Sequence, residues 1–239
     1  MFEQTLITRR NLLKFGALSC GALATSTNIT NAETEKSKIK EPLLEYIPKD
    51  FSHLKDKLVG ISNSQLEQHI TLYKKYVSKI NLIESKIKSF KFEPFDDAAY
   101  RALHVAQTFM LNGAILHELY FGNLGSGKKS PEGDLKKIIN RDFESTKNFL
   151  THLKSVGKVM RGWSIAAFNL RTNTLKIYGM DQHNDLTPSN VIPILALDVY
   201  EHAYMIDYGI DRDKYLDAFM TNLNWGPVEQ RLDKALSIK

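Results

Sequence analysis

The sequence contains very little cysteine. The single cysteine among its 239 residues, Cys20, lies close to the N-terminus, in a segment that we expect to be removed. The mature chain would then contain neither a disulfide nor a thiolate ligand. Any metal that it binds must be held by histidine and carboxylate side chains.

The sequence also lacks a long apolar run and a strong excess of charge of one sign. Its hydrophobic content of 43% and charged content of 25% are ordinary for a globular domain. The formal net charge is +5, which falls to +3 when residues 1–32 are removed with Arg9, Arg10, Lys14 and Glu3. This charge is too small to indicate a nucleic-acid partner.

The first 32 residues are typical of an export signal. Thr8–Lys14 contains the pair Arg9-Arg10, a run of small apolar residues follows, and Ala32 ends a candidate cleavage site. The run is too short and too weakly apolar for a membrane span. We therefore predict export to the periplasm by the twin-arginine route, which carries folded proteins. The alternatives are a basic arm or an anchoring helix, while a lipid anchor on Cys20 is disfavoured by its neighbours.

Hydrophobic periodicity divides the remaining chain into a helical half and a mixed half. We interpret residues 33–50 as a polar lead-in, 51–125 as an α-hairpin domain and 126–239 as a C-terminal domain. Residues 63–90 and 97–121 form the two long helices of the hairpin because apolar residues recur at helical spacing in both. A glycine-rich stretch, residues 122–127, follows the second helix.

The second half alternates between helical and strand patterns. Another helical stretch is predicted over residues 132–157, and helices are predicted from about Tyr204 to the end, with a break near Trp225–Pro227. Three segments rich in aromatic and β-branched residues predict an antiparallel sheet: Gly162–Leu170, Thr174–Met180 and Ile192–Tyr200. Helices followed by a small three-stranded sheet and further helices indicate an α+β fold.

The most informative motif is Asp198-Val199-Tyr200-Glu201-His202-Ala203-Tyr204, at the end of the third predicted strand. Asp198 and His202 are four residues apart and can reach one metal ion. The segment resembles the C-terminal metal-binding signature of the iron/manganese superoxide dismutases, in which tryptophan usually stands at the place of Tyr200. The smaller Tyr200 adds a hydroxyl group that can form a hydrogen bond.

The same resemblance, spread over residues 45–232, implies two further ligands. His117 lies in a helix similar to the family's second-ligand helix, with Leu116 where the family has asparagine. The family's first-ligand helix has a His-His pair before Tyr-Val, and here Gln68-His69 stands in its place. Strict counting back from Tyr76 gives Gln68, and a one-residue adjustment gives His69. Because imidazole is the better ligand for manganese or iron, we predict His69.

The resemblance thus implies one mononuclear metal site with His69, His117, Asp198 and His202 as ligands. Gln182 is expected to bond the metal-bound solvent, and Tyr76 to relay protons and control access. A glutamine from the sheet region combined with a glycine on the second helix, Gly113, is typical of the manganese type. The expected metal is therefore manganese or iron, with manganese slightly favoured.

The implied activity is the disproportionation of superoxide to dioxygen and hydrogen peroxide. The resemblance also implies a homodimer in which Glu201 bonds the partner's metal-ligand histidine, and an aromatic cage that includes Trp163. The alternative is a dismutase-like protein that keeps the fold as a binding or structural module, which the Gln68-His69 departure motivates. No role is assigned to the other histidines: His53, His104, His152 and His183.

Overall fold

Two long antiparallel helices form the first half of the described chain, as the periodicity predicts. The structure is a computed structural model that describes residues 45–91, 93, 96–185 and 187–238. The predicted signal, residues 1–32, lies outside the described residues. Helix α1 spans Asn63–Ser89 and α2 spans Asp97–Gly122. The Ser62 side chain caps α1 by accepting a hydrogen bond from a backbone amide of its first turn.

The hairpin buries the apolar stripe that the sequence shows. From α1 this stripe includes Leu66, Tyr73, Val77 and Ile80, all at most 3% exposed. The hydroxyl of Tyr73 also fixes the preceding segment, because it accepts a hydrogen bond from the Lys49 amide at 2.8 Å and donates one to Glu118 at 3.0 Å.

The predicted helix over residues 132–157 is two helices. Helix α3 spans Gly133–Phe143 and α4 spans Thr146–Val159. Between them Glu144 adopts a φ of 69°, a left-handed conformation that a continuous helix does not allow. Ser145 then caps α4 through a hydrogen bond from the Asn148 amide. The continuous helix was therefore wrong at this one point.

The three predicted strands form one antiparallel sheet. Strand β1 spans Trp163–Asn169, β2 spans Thr174–Met180 and β3 spans Val191–Asp198, in the order β2-β1-β3. The α+β prediction is confirmed. Because Trp163 pairs with both Met180 and Asp198, the end of β3 and the turn after β2 lie on either side of Trp163. Strand β3 ends two residues earlier than predicted.

Three helices complete the described chain. Helix α5 spans Met205–Tyr208, α6 spans Arg212–Asn222 and α7 spans Trp225–Leu236. The predicted break at Trp225–Pro227 instead lies just before Trp225, where the Asn224 side chain caps α7. Pro227 is accommodated in the first turn because that turn's amides have no partner within the helix.

Buried hydrogen bonds tie these helices to the end of the sheet. The Tyr215 hydroxyl on α6 donates to the Asp198 carbonyl at 2.6 Å. The Gln65 amide on α1 donates to the His202 carbonyl at 2.6 Å and accepts from the Ile206 amide at 3.1 Å. These contacts fix the segment after β3 against both halves of the chain.

The described residues from 45 onward form a single compact unit. The domain boundary near residue 125 stays a prediction. Among the described residues, none of the helices has the length and apolar character that a membrane span requires.

Candidate metal centre

Four side chains from both halves of the chain converge on one point. His69 comes from α1, His117 from α2 and Asp198 from the end of β3, while His202 lies in a short 3-10 turn, Glu201–Ala203. One donor atom from each lies within 4.8 Å of the others. His69, His117 and Asp198 are buried, and the His202 side chain is 27% exposed.

The donor atoms are spaced as ligands of one ion would be. Asp198 Oδ2 lies 3.1 Å from His69 Nε2, 3.2 Å from His202 Nε2 and 3.5 Å from His117 Nε2. The His117 and His202 Nε2 atoms are 3.4 Å apart. Ligand atoms bound at about 2.1 Å with angles of 90–120° are separated by about 3.0–3.6 Å. The second carboxylate oxygen, Oδ1, accepts the Tyr200 amide at 3.0 Å, which orients the carboxylate.

The hydrogen bonding of His117 fits a cation at the centre of this cluster. Its Nδ1 donates to the Gly113 carbonyl at 2.5 Å, so in the neutral ring Nε2 carries a lone pair. That lone pair faces the Asp198 carboxylate and the Nε2 of His202. Acceptors that face each other in a buried site repel unless a cation lies between them. Three imidazoles and one carboxylate suit iron or manganese, and the residues therefore fit the metal.

Burial and charge set the protonation states of these ligands. Burial lowers the pKa of His69, and it lowers the pKa of His117 well below the ordinary value. Burial alone would raise the pKa of Asp198, but contacts with His202 and His69 outweigh it and hold that pKa below its usual range. At neutral pH the two buried rings are therefore neutral and the carboxylate is ionised, as metal ligands must be.

Of Gln68 and His69, the helix α1 turns only His69 toward the cluster. His69 is 2% exposed and points into the cluster, whereas Gln68 is exposed and its amide bonds Ser64. At 3.6 residues per turn, His69 lies seven residues before Tyr76 and thus about 20° from the same face. Gln68, eight residues before Tyr76, lies about 80° away. The one-residue adjustment is what lets the ligand and Tyr76 share a face.

Three aromatic side chains form a hydrogen-bonded chain beside the cluster. Trp163 Nε1 donates to His183 Nδ1 at 2.9 Å, and His183 Nε2 lies 2.8 Å from the Tyr76 hydroxyl. Because an indole nitrogen can only donate, Nδ1 must accept, and in the neutral ring Nε2 carries the proton. His183 therefore donates to Tyr76. Burial lowers the pKa of His183 to about 4, which keeps the ring neutral.

His183, and not Gln182, faces the cluster, so the structure does not bring Gln182 to the site that the sequence predicts for it. Gln182 is exposed, and its backbone amide bonds Asp185 at 2.8 Å. Strand β2 ends at Met180, so the alternation of side chains no longer determines which residue of the turn faces inward. A side chain between Trp163 and Tyr76 must accept one hydrogen bond and donate another. An imidazole can do both, and this property of histidine was the signal in the sequence that could have identified His183.

The other predicted residues surround the hydrogen-bonded series of Trp163, His183 and Tyr76. Gly113 lies against Tyr76 and His183: a Cβ atom there would be 2.8 Å from Tyr76 Cδ1 and 3.2 Å from His183 Cδ2. Trp163 is fully buried, with its ring 5.1 Å from that of His117. The Tyr200 ring stacks on His202 at 5.1 Å between centroids.

The fold brings together a donor set of histidine and aspartate side chains, from an α-hairpin and the end of a small sheet, that could hold one metal ion. A sequence profile described as iron/manganese superoxide dismutases, C-terminal domain, matches residues 131–231. The chain is 41% identical over 197 residues to the superoxide dismutase (Fe) of Aquifex aeolicus, covering 79% of this chain and 92% of that protein.

Relatives with other metals in their names also match. The superoxide dismutase (Mn/Fe) of Aeropyrum pernix is 33% identical over 168 residues, covering 68% of this chain and 78% of that protein. The superoxide dismutase (Mn) 1 of Halobacterium salinarum is 31% identical over 168 residues, covering 70% and 84%. The chain belongs to the iron/manganese superoxide dismutase family.

Proposed function

We propose that the chain is a superoxide dismutase with one iron or manganese ion held by His69, His117, Asp198 and His202. The observation that carries this proposal is the convergence of the four donor atoms within 4.8 Å in a buried site. The bound metal supplies the electron exchange, in which one superoxide is oxidised to dioxygen and the next is reduced to hydrogen peroxide.

The residues beside the cluster supply and hold protons. Because the neutral His183 donates its Nε2 proton to the Tyr76 oxygen, the Tyr76 proton is free to point away from His183. Burial raises the pKa of Tyr76 to about 12, so the phenol keeps its proton at neutral pH. Reduction of superoxide to hydrogen peroxide consumes two protons, and in this proposal Tyr76 donates one of them.

The Trp163 indole stabilises this arrangement from the far side. Its hydrogen bond occupies His183 Nδ1, so protonation of that nitrogen would break a buried contact. His183 therefore remains a neutral donor, and the hydrogen bonds continue to run from Trp163 through His183 to Tyr76.

The choice between manganese and iron belongs to the same proposal. The slight preference for manganese rested on Gly113 and Gln182 together. Gly113 keeps the expected place, whereas His183 replaces Gln182. Metal analysis of the purified protein, with the superoxide assay repeated after loading each metal, determines the preference.

We further propose that the protein is a homodimer whose interface includes Glu201. Glu201 is exposed next to His202, whose Nδ1 has no hydrogen-bond partner in the part of the chain that the structure describes. Exposed apolar residues lie beside it, with Met205 and Ile206 each 47% exposed. A carboxylate from a partner chain would accept a hydrogen bond from His202 Nδ1 and so fix the orientation of the ring, as carboxylates commonly do for metal-bound histidines. Sedimentation of the wild type and Glu201→Ala tests this.

The proposed location is the periplasm. The observation that supports it is the Arg9-Arg10 pair followed by an apolar run and Ala32. Superoxide crosses membranes poorly, so an exported dismutase would act on superoxide formed outside the cytoplasm. Fractionation of cells that express the full chain, compared with Arg9→Lys/Arg10→Lys, tests the route.

One experiment separates the enzyme from a non-catalytic relative. Elemental analysis and a superoxide assay are performed on the same signal-cleaved sample. About one iron or manganese ion per chain with fast turnover supports the enzyme. A folded protein without metal, or with inert zinc, contradicts it. His202→Ala serves as the control and should lose both metal and activity.

A further inference from the structure

We propose that Tyr200 is a positioning residue for His183, acting through the turn that carries it. The proposal rests on the proposed dismutase function for its kinetic consequence, and on geometry alone for the anchoring. The Tyr200 hydroxyl donates to the backbone carbonyl of Asp181 at 3.1 Å, two residues before His183.

Other hydrogen bonds of the described residues hold the turn of residues 181–185 to α1, α2 and β1, including those of the His183 ring with Tyr76 and Trp163. Arg161 donates its backbone amide to the Asp181 side chain at 3.0 Å, and the Asn184 side chain donates to Thr108 at 2.9 Å. The Gln182 amide bonds Asp185 within the turn itself. Tyr200 therefore provides the hydrogen bond that connects the turn to the segment between Asp198 and His202.

The ring of Tyr200 supports the same role. Its centroid lies 5.1 Å from that of His183 and 5.1 Å from that of His202, and 6.3 Å from that of Trp163. The ring thus fills the space between a ligand and the hydrogen-bonded chain. Removal of the hydroxyl leaves this packing intact and releases the Asp181 carbonyl, so Tyr200→Phe isolates the anchor from the packing.

The anchor matters because His183 works through two directed hydrogen bonds. Movement of the turn would lengthen the 2.8 Å contact with Tyr76, the 2.9 Å contact with Trp163, or both. Such movement would slow proton delivery without changing the encounter with superoxide. In kinetic terms kcat should fall while kcat/KM changes little.

The test compares wild type, Tyr200→Phe and Tyr178→Phe as metal-loaded full-length proteins. Tyr178 is a matched control: it lies on β2, and its hydroxyl accepts a long 3.5 Å hydrogen bond from the Asn169 side chain rather than bonding a carbonyl of the turn. Backbone hydrogen exchange is measured by mass spectrometry on peptides that contain residues 182–185, alongside peptides from α1 and α2.

Tyr200→Phe should accelerate exchange in the turn by about three- to tenfold, the range expected for loss of one hydrogen bond. The helix peptides and metal content should match wild type, kcat should fall by about the same factor and kcat/KM by less than about twofold. Unchanged exchange in the turn, or equal acceleration of the helices, would overturn the anchoring. A parallel fall of kcat and kcat/KM would overturn the positioning role. If the wild type has no dismutase activity, the proposed function fails, while the exchange comparison still decides the anchoring.

Discussion

Replacement of Gly113 by alanine should damage catalysis far more than folding. A Cβ atom at this position would lie 2.8 Å from Tyr76 Cδ1, 3.1 Å from Tyr76 Cε1 and 3.2 Å from His183 Cδ2. Carbon atoms in contact are about 3.5–4.0 Å apart, so the Tyr76 ring must move by at least about 0.7 Å. Since His117 and Phe109 border the Tyr76 ring, it has little room to turn aside.

The effect on stability is small because two terms oppose each other. Overpacking costs about 1–3 kcal/mol, while replacing glycine by alanine within α2 contributes about 1 kcal/mol of helix propensity. The expected net loss is about 0–2 kcal/mol in the free energy of unfolding. Catalysis has no such compensation, because a misplacement of about 1 Å can cost about 100-fold. The Tyr76–His183 hydrogen bond is the contact displaced, so kcat should fall about 10- to 100-fold.

The assay is the decay of superoxide after rapid mixing, with metal content and urea unfolding measured on the same preparations. Gly226→Ala is the matched control, because its Cβ would meet Asn224 Oδ1 at an ordinary 3.5 Å. That variant should keep its activity and change the free energy of unfolding by at most about 1 kcal/mol, because the helix propensity of alanine is offset by the restriction that Pro227 places on the residue before it. A fully metallated Gly113→Ala protein with kcat within twofold of wild type would refute the steric reasoning.

Four further predictions follow from the site. His183→Ala should lower kcat about 100-fold and His183→Gln should recover most of it, since glutamine offers both an acceptor and a donor, while Gln182→Ala should be neutral in the same assay. Asp198→Asn should retain less than about a tenth of the metal by elemental analysis, because the amide carries no charge to offset the cation. Tyr73→Phe should lose about 1–2 kcal/mol in urea unfolding with nearly unchanged activity, because two hydrogen bonds are lost away from the metal. Finally, the free energy of unfolding should fall as the pH falls from 6.5 to about 4, because the unfolded chain binds a proton at His183 that the folded chain excludes. Urea midpoints across this range should depend less on pH in His183→Gln, and an unchanged pH dependence would contradict the burial of a neutral ring.

The elements that the sequence predicts well are those whose pattern extends over several turns. In α1 and α2 the apolar stripe repeats often enough that the period of 3.6 is unambiguous, and both helices agree with the prediction to within one residue. The interruption at Glu144 is different, because glutamate carries no conformational signal of its own. Its left-handed φ is imposed by the packing of two short helices on the sheet, and that packing involves residues distant in sequence.

Within the site, too, the sequence predicts a side chain's position only where the backbone is regular. Periodicity on α1 separates His69 from Gln68 because both lie in a regular helix together with Tyr76, and regularity converts a residue count into an angle. The turn after β2 has no regular period, so the number of residues between two positions no longer gives the angle between their side chains. What turns His183 inward is a set of local contacts, including the Arg161 amide on the Asp181 side chain and the indole that requires an acceptor. A sequence comparison that aligns only residue types selects Gln182. In the structure the buried Trp163 indole needs an acceptor, and His183 can accept that hydrogen bond and donate another to the Tyr76 hydroxyl.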